Sequence, residues 1–564
     1  MEASIFYILS FYGLILLFTI YRVSHLILPF FQVRVAQHVI YPLLFQSRRW
    51  NSPTRLQALL CCIYILGNVA VLLFPFHPFP NLSVIQRRAA VTALVNLLPS
   101  VIGKQILSAL KVFLISSSSL QLAHYLISIM SLCEGLLHSA IVISQNPQHN
   151  QVTISGYSIF GTLIVFIFSC LWIFQRLLKN YFLSLHLLIA TALFSTLIWH
   201  TLLIPALFYR IATIVCSLVF TITLSIHFSR RTVLKSTAVI QDVSYREDIV
   251  IVKLRTDKPM KIFPGCYFYL RLNKSNQFSY YPKQPIWYGD GGPISPYHVE
   301  NFVFVLSNEE KHSRHIRFLE EGQQIHLSGP YGTDFRLQEY EEVILLAKGT
   351  GILTVLSYAL TLCRRRNYDD NIRSSIQELQ DEQSDLIKRL NKATTQQKKA
   401  SSRDKKEKVD VLAQKVQSLE EQIKAQKQIP LFNDTLRRVD LLWVLEKGSQ
   451  ATWATEPFKA LQKLDPKNRL IVVWCLYPNQ GYLPMFETSG HWQCFYPGPS
   501  IADAVKSIKL RIIERQSRVK GKVVVASCGE ADFQRQLRTV IIESMQKARH
   551  IEFMEFDCYP DQLK

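Results

Sequence analysis

Charge is what this sequence has least of. Only 19% of its 564 residues are Asp, Glu, Lys or Arg, too few to clothe a wholly soluble protein of that length. Eleven cysteines occur without a single CxxC pair, and most lie in apolar runs or in the C-terminal half. Neither a zinc site nor a disulfide framework has support in that spacing. No low-complexity repeat dominates and aromatic residues reach 12%, which excludes a disordered or fibrous chain. Acidic residues are outnumbered, 42 against 63 Lys and Arg, giving a net charge of +21. Such an excess suits nucleic acid, anionic lipid or an anionic cofactor, and the placement of the bases has to decide between these.

Apolar runs fill the first 230 residues and then stop. Seven candidate spans are read there: Ala3 to Ile20, Leu56 to Phe76, Ala89 to Ile102, Leu120 to Ile143, Tyr157 to Phe174, Phe182 to Leu203 and Ile211 to His227. Most approach the roughly 20 residues that cross a hydrocarbon core, and the third is the shortest. The first has no basic start and no small-residue cleavage site, so it reads as a retained helix. Arg22, Arg34, Arg48, Arg49 and Arg55 follow the first span, Lys104 and Lys111 the third, Arg176 and Lys179 the fifth, and Arg230, Arg231 and Lys235 the seventh. The segments Ser144 to Gly156 and Ile204 to Phe208 carry no Lys or Arg. Seven spans with the N-terminus outside put the basic loops in the cytosol, with Arg87 and Arg88 as exceptions and the sequon Asn81-Leu82-Ser83 outside. The chain is thus expected to be a multi-pass membrane protein, in the plasma membrane, with cytosolic soluble domains. The bases near the bilayer become an orientation signal, and no nucleic-acid partner is needed.

Beyond Lys235 the texture changes to short alternating strands, such as Ile249 to Val252 and Tyr267 to Leu270, separated by polar and Gly/Pro turns. This predicts a small antiparallel barrel over residues 236–335. From Val343 the order becomes strand, glycine turn, helix, strand. Val343 to Ala347, Val439 to Val444, Leu470 to Trp474 and Lys522 to Ala526 read as buried parallel strands of a nucleotide-binding α/β domain, residues 340–364 and 431–564. Residues 365–430 do not belong to it. Their apolar positions, Ile372, Ile376, Leu379, Leu386 and Leu390, then Val409, Leu412, Val416, Leu419 and Ile423, suit two helices folded back as a coiled-coil hairpin. A flexible charged insert is the alternative. A protein partner would dock on the hairpin.

The strongest chemical signal is four histidines in two spans. His124 and His138 lie in the fourth span and His186 and His200 in the sixth, each pair 14 positions apart. Fourteen residues rise roughly 21 Å and return within about 40° of the starting face. Side by side, two such helices place a histidine pair at each of two depths. Neutral imidazole is a good iron ligand, so each pair can hold one haem iron through both axial positions. Any one intramembrane histidine serves equally well to bond a neighbouring helix, but packing gives no reason for equal spacing on two helices.

This quartet, followed by a barrel and an α/β domain, resembles the ferric reductase family, which includes fungal metalloreductases and the NADPH oxidases. The soluble half resembles ferredoxin–NADP reductase. The resemblance implies two b-type haems ligated by His124, His138, His186 and His200, an FAD, and NADPH as donor with NADH as the other possibility. Electrons would pass from cytosolic nucleotide through FAD and the haems to a ferric or cupric ion or chelate outside.

The resemblance extends to short motifs. Pro264-Gly265-Cys266-Tyr267-Phe268-Tyr269 looks like the family's Pro-Gly-Gln-Tyr stretch on a barrel strand. Gln284-Pro285-Ile286-Trp287 stands where the family has His-Pro-Phe-Thr/Ser, and only the proline is kept. Trp287 cannot give the hydroxyl contact but can stack on a flavin ring. Gly329-Pro330-Tyr331-Gly332 matches the turn that leaves the flavin domain. Lys348-Gly349-Thr350-Gly351-Ile352 resembles the family's Gly-Gly-Thr-Gly turn, with Lys348 in place of the first glycine. Glycines there let phosphate oxygens reach backbone N–H groups at a helix start. Cys528-Gly529 resembles the Cys-Gly-Pro motif beside the nicotinamide, with Glu530 replacing proline. Glu446 and Lys447 at the end of the second nucleotide strand leave NADH and NADPH both open. No general acid or base is needed, and none is assigned. Two alternatives stand beside metal reduction: dioxygen as acceptor, giving superoxide, and a haem-bearing scaffold whose flavin and nucleotide sites have decayed.

Overall fold

The structure, a computed structural model, describes residues 35–44, 53–75, 79–101, 117–145, 150–171, 177, 182–232, 235–246, 249–271, 281–283, 285–286, 298–307, 318–332, 334–399, 403–477, 490–498, 500–518, 521–545 and 551–556. The first expected span, the loop bases Arg22, Arg34, Arg48, Arg49, Lys104, Lys111, Arg176 and Lys179, and the candidate flavin residues Gln284 and Trp287 lie outside these.

Six helices make up the described part of the N-terminal region: α1 (Arg55–Leu73), α2 (Leu82–Val101), α3 (Ser117–Ser144), α4 (Gln151–Cys170), α5 (Phe182–Leu203) and α6 (Leu207–Thr232). Local chemistry fixes their starts. Thr54 and Gln57 form a capping box on α1, and Asn150 accepts from Thr153 N at 2.9 Å to cap α4. Five of the six, all but α2, are long and apolar enough to cross a membrane. The expectation of seven spans is therefore met by five helices of that character among the described residues.

Helix α2 begins seven residues before the expected Ala89 and so includes Arg87 and Arg88. Arg88 is consumed locally: its guanidinium donates to the Phe74 carbonyl and, at 3.4 and 3.3 Å, to those of Val71 and Leu72, capping the end of α1. The polar residues of α2 face inward. Asn96 accepts from Tyr64 Oη at 2.7 Å and donates to Asn68 Oδ1 at 2.9 Å and Glu134 Oε2 at 2.8 Å. That network joins α1, α2 and α3 and leaves α2 the least apolar helix because it is an interior one.

Seven antiparallel strands follow in the order β4-β3-β7-β1-β2-β6-β5: β1 (Lys235–Tyr245), β2 (Ile249–Lys261), β3 (Tyr267–Arg271), β4 (Tyr281–Lys283), β5 (Pro285–Ile286), β6 (His298–Ser307) and β7 (Gln324–Tyr331). The two edge strands, β4 and β5, are one residue apart in the chain, so the sheet curls until its edges meet. Ala238, Ile240, Val252, Phe268, Phe302 and Phe304 fill the interior.

A parallel sheet completes the fold, in the order β11-β10-β9-β8-β12-β13: β8 (Glu342–Lys348), β9 (Arg438–Val444), β10 (Ile471–Leu476), β11 (Trp492–Phe495), β12 (Val523–Cys528) and β13 (Ile551–Glu555). Alternate strand residues feed two cores, one on each face. Val343, Leu345, Leu441 and Trp443 pack under α7 (Ile352–Lys399) and α9 (Thr455–Leu464). Ile344, Leu346, Leu442 and Val525 pack under α10 (Ile501–Arg518) and α11 (Ala531–Met545).

The insert is a hairpin, and it is not separate from the glycine turn. Helix α7 starts at that turn and runs 48 residues without interruption, then α8 (Arg403–Lys427) returns along it. Gln383 Nε2 donates to Glu420 Oε1 at 3.1 Å, which sets the antiparallel register. At the base Arg365 forms a bidentate pair with Asp434, and Asp369 accepts from Phe432 N and Asn433 N, each at 2.9 Å. The segment preceding α1 docks on the α/β unit: Ala36 is buried in its second core, and Tyr41 Oη accepts from Phe553 N at 3.1 Å.

Candidate functional site

The four histidines fall as the spacing predicts, two on α3 and two on α5. His186 lies within electrostatic range of His124, and His200 of His138, so the quartet divides into two pairs at two levels. Helix α3 packs along α2 and α5 along α4, whereas α3 and α5 make no extended contact with each other among the described residues. The two members of each pair thus come from helices that pack along other helices rather than along each other.

Hydrogen bonding sets the tautomer of one pair. His138 Nδ1 lies 3.1 Å from the Gln86 carbonyl oxygen, which can only accept, so Nδ1 carries the proton. His200 Nδ1 lies 2.9 Å from Ser155 Oγ, and that hydroxyl already donates to the Val152 carbonyl at 2.8 Å. The imidazole must therefore donate here too. Both rings keep a bare Nε2, the state a metal ligand requires, with the other nitrogen anchored. In the second pair His186 packs against Phe166, with ring centroids 4.8 Å apart, and its Nδ1 is 3.7 Å from Cys170 Sγ. Gly156 lies beside His200, where an added Cβ would come within 3.5 Å of the ring.

In the curled sheet the first and third flavin motifs meet. Gly265 (φ 74°) and Gly332 (φ 113°) back onto each other, and a Cβ on Gly332 would stand 3.1 Å from the Gly265 carbonyl. Strands β3 and β7 pair Tyr267 with Tyr331, and the rings of Tyr267, Tyr269 and Tyr331 cluster with centroids 5.4–5.7 Å apart. Tyr331 Oη and Ser328 Oγ are hydrogen-bonded at 2.7 Å. Alternation along β3 puts Tyr267, Tyr269 and Arg271 on one face while Phe268 and Leu270 go inward. Arg271 thereby joins Tyr267 and Tyr269 of the motif stretch on one face, and the period-two pattern is the signal for it. Cys266 is buried, and burial pushes its thiol up to about 12, which keeps it inert. Pro285 and Ile286 lie buried on β5, with Ile286 in the core that underlies α7. Gly265 N donates to Ser357 Oγ on the same helix at 3.2 Å. Helix α7 is the element shared by the curled sheet and the glycine turn.

That turn closes strand β8 at the point where the sheet order reverses, with β9 on one side and β12 on the other. Crevices at such points receive ligands in open α/β sheets. Trp443 Nε1 donates to the carbonyl of Gly349 (φ 53°) at 3.1 Å. A Cβ on Gly351 would run into the Cys528 backbone, so the turn and the Cys528-Gly529 loop are in direct contact. Cys528 is fully buried, its sulfur 3.4 Å from Thr354 Oγ1. Lys348 does not crowd the turn; its ammonium lies beneath it, bonded to Glu446 Oε1 at 3.1 Å and to Glu530.

No family model matches the chain, and no curated protein does. Solved structures align mainly over its second half. The CS-b5R domains of human Ncb5or share 18% identity over 57% of this chain and 69% of that one, with a TM-score of 0.32. A ferredoxin-NADP+ reductase mutant from Plasmodium falciparum with 2′P-AMP shares 12% over 58% and 98%, with a TM-score of 0.33. A flavohemoglobin from Malassezia yamatoensis with bound FAD and heme shares 10% over 84% and 98%, with a TM-score of 0.34.

Proposed function

We propose that this protein is a membrane oxidoreductase that takes electrons from NAD(P)H on the cytosolic side and delivers them to a ferric or cupric acceptor on the other. The observation that carries the reading is the cross-helix pairing of His138 with His200, both held with Nε2 free. His124 and His186 form the second level. The residues fit the groups assigned to them: paired imidazoles from two helices for two haems, an aromatic face with Arg271 for FAD, and a glycine turn opening a helix for a dinucleotide. When bound, these groups would split a hydride into single electrons and carry them through the bilayer. The chain's own work is to fix ligand tautomers, to exclude water around the pairs, and to hold the flavin and nucleotide motifs against one helix, α7.

Location in the plasma membrane and a protein partner on the α7–α8 hairpin belong to the same reading. A reduced-minus-oxidised spectrum of the purified chain, with haem and flavin quantified per chain, tests it. Two haems and one flavin are expected, with NADPH-dependent haem reduction. A colourless preparation from cells supplied with iron and porphyrin overturns it. Comparing ferric-chelate reduction with superoxide formation by NADPH-supplied membranes separates the two acceptors.

A further inference from the structure

Lys348, Glu446 and Glu530 come from three separate segments, the ends of β8 and β9 and the loop after β12, yet they form one ion cluster. Two of them, Lys348 and Glu530, stand where the resembled motifs have glycine and proline, and Glu446 is the carboxylate that left the nucleotide's identity open. The lysine side chain is 5% exposed, whereas the two carboxylates are 43% and 49% exposed. A buried cation is thus covered by two acids that face solvent. Glu446 is the closer lid: a Cβ on Gly349 would stand 2.6 Å from its Oε2, and Gln450 Nε2 steadies that oxygen at 3.2 Å. Its carboxylate therefore lies on the turn whose N–H groups open α7, where a phosphate would be seated.

We propose that Glu446 and Glu530 form a clasp that closes the dinucleotide seat, and that a bound dinucleotide's phosphate displaces them and takes over Lys348. A buried ammonium cannot be left unpaired, so the exchange of one anion for another is the low-cost route to opening. The outer acids move because water receives them; the lysine stays. Apparent affinity falls in proportion to the open fraction, so a seat open in about 1–10% of molecules weakens binding about 100- to 10-fold. Lys348 is then the phosphate ligand that compensates for the lost glycine.

The clasp rests on the nucleotide-binding reading, and the test separates the two. Equilibrium dialysis of NADPH and NADH is carried out on the detergent-solubilised full chain and on E446Q/E530Q, K348M and K348M/E446Q/E530Q, with circular dichroism confirming the fold of each. E446Q/E530Q is expected to bind at least about tenfold more tightly than the wild type. K348M binds more weakly, and in the triple variant the gain disappears, because the freed seat no longer has its cation. Unchanged or weaker binding by E446Q/E530Q overturns the clasp alone. A gain that survives in the triple variant also overturns it, since simple charge repulsion would then suffice. If no variant binds either nucleotide, the clasp and the nucleotide-binding reading fall together. As a second readout, inorganic pyrophosphate should raise the melting temperature of E446Q/E530Q more than that of the wild type; an equal effect on both counts against the clasp.

Discussion

Replacing the paired histidines one at a time and then together tests which residues share a site. The two levels are 14 residues apart on each helix, or roughly 21 Å along the axis. That is beyond the ~7–10 Å within which side-chain effects couple, so damage at one level should spare the other. His138→Ala and His200→Ala should each lower the haem content from two to one per chain. The double variant H138A/H200A should also retain one, because both changes strike the same pair. H138A/H186A removes one ligand from each level and should retain none.

Ser155→Ala is the subtler perturbation. It leaves both ligands in place but removes the acceptor of the His200 Nδ1 proton at 2.9 Å. Loss of such an anchoring bond typically costs about 10- to 100-fold in metal-site affinity, or roughly 1.4–2.7 kcal/mol. The expected result is a haem that titrates out at lower competitor concentration, with full occupancy when haem is in excess. Haem per chain from the pyridine haemochromogen, alongside the reduced-minus-oxidised spectrum, reads all five variants. The pairing is refuted if H138A/H200A loses both haems or if H138A/H186A keeps one.

Other consequences follow from the soluble half. Asp440, 2% exposed, accepts from Arg511 and Arg515 of α10 at 3.0 and 2.7 Å, so Asp440→Ala takes the acid from the buried Arg515 and leaves Arg511 with Glu514 alone; it should cost about 3–5 kcal/mol in urea unfolding of the α/β unit. Gly351→Ala should abolish nucleotide binding, measured by dialysis, because its Cβ would enter the Cys528 backbone. The thiol of Cys266, pushed up to about 12 by burial, should resist maleimide at neutral pH until the chain is denatured. The sign is that of a raised folded-state value: its contribution to stability is complete below the ordinary thiol range and is lost as pH rises towards about 12.

The parts of this protein that obey a strict period were legible in its sequence. The 14-residue histidine spacing survives because a straight helix converts residue count into depth without reference to anything else. Buried strands such as Val439 to Val444 were readable for the same reason, their runs being too apolar for any exposed role. What failed to show depends on partners distant in sequence. Arg87 and Arg88 stood out only as exceptions to the basic-loop pattern, and only the geometry reveals that Arg88 is spent on the end of α1. Lys348 was legible only as a lysine in place of the turn's first glycine, and nothing in the sequence set Glu446 and Glu530 against it. The hairpin was legible as two helices, but not that the first of them grows directly out of the glycine turn.

On the membrane reading proposed above, the number of crossings follows from parity rather than from hydropathy. Residues 36–41 precede α1, while α11 and β13 follow α6, and the two are packed together: Arg538 Nη1 donates to the Tyr41 carbonyl at 3.1 Å, and the rings of Tyr41 and Phe553 stand 6.0 Å apart. Chain segments that touch in water lie on one side of a bilayer, so an even number of helices must cross between them. Five apolar helices give an odd number. Counting α2 as a sixth restores parity, and its inward-facing Thr92, Asn96 and Ser100 explain why a lipid-based criterion passes it over. The prediction is an accessibility pattern in sealed vesicles. Cysteines introduced at His38 and at Asn81, on opposite sides of α1, should react oppositely with an impermeant maleimide. One at Gln145, beyond α2 and α3, should share the behaviour of Asn81. If α2 did not cross, Gln145 would instead follow His38, and the docked segment and the α/β unit could not be on the same side.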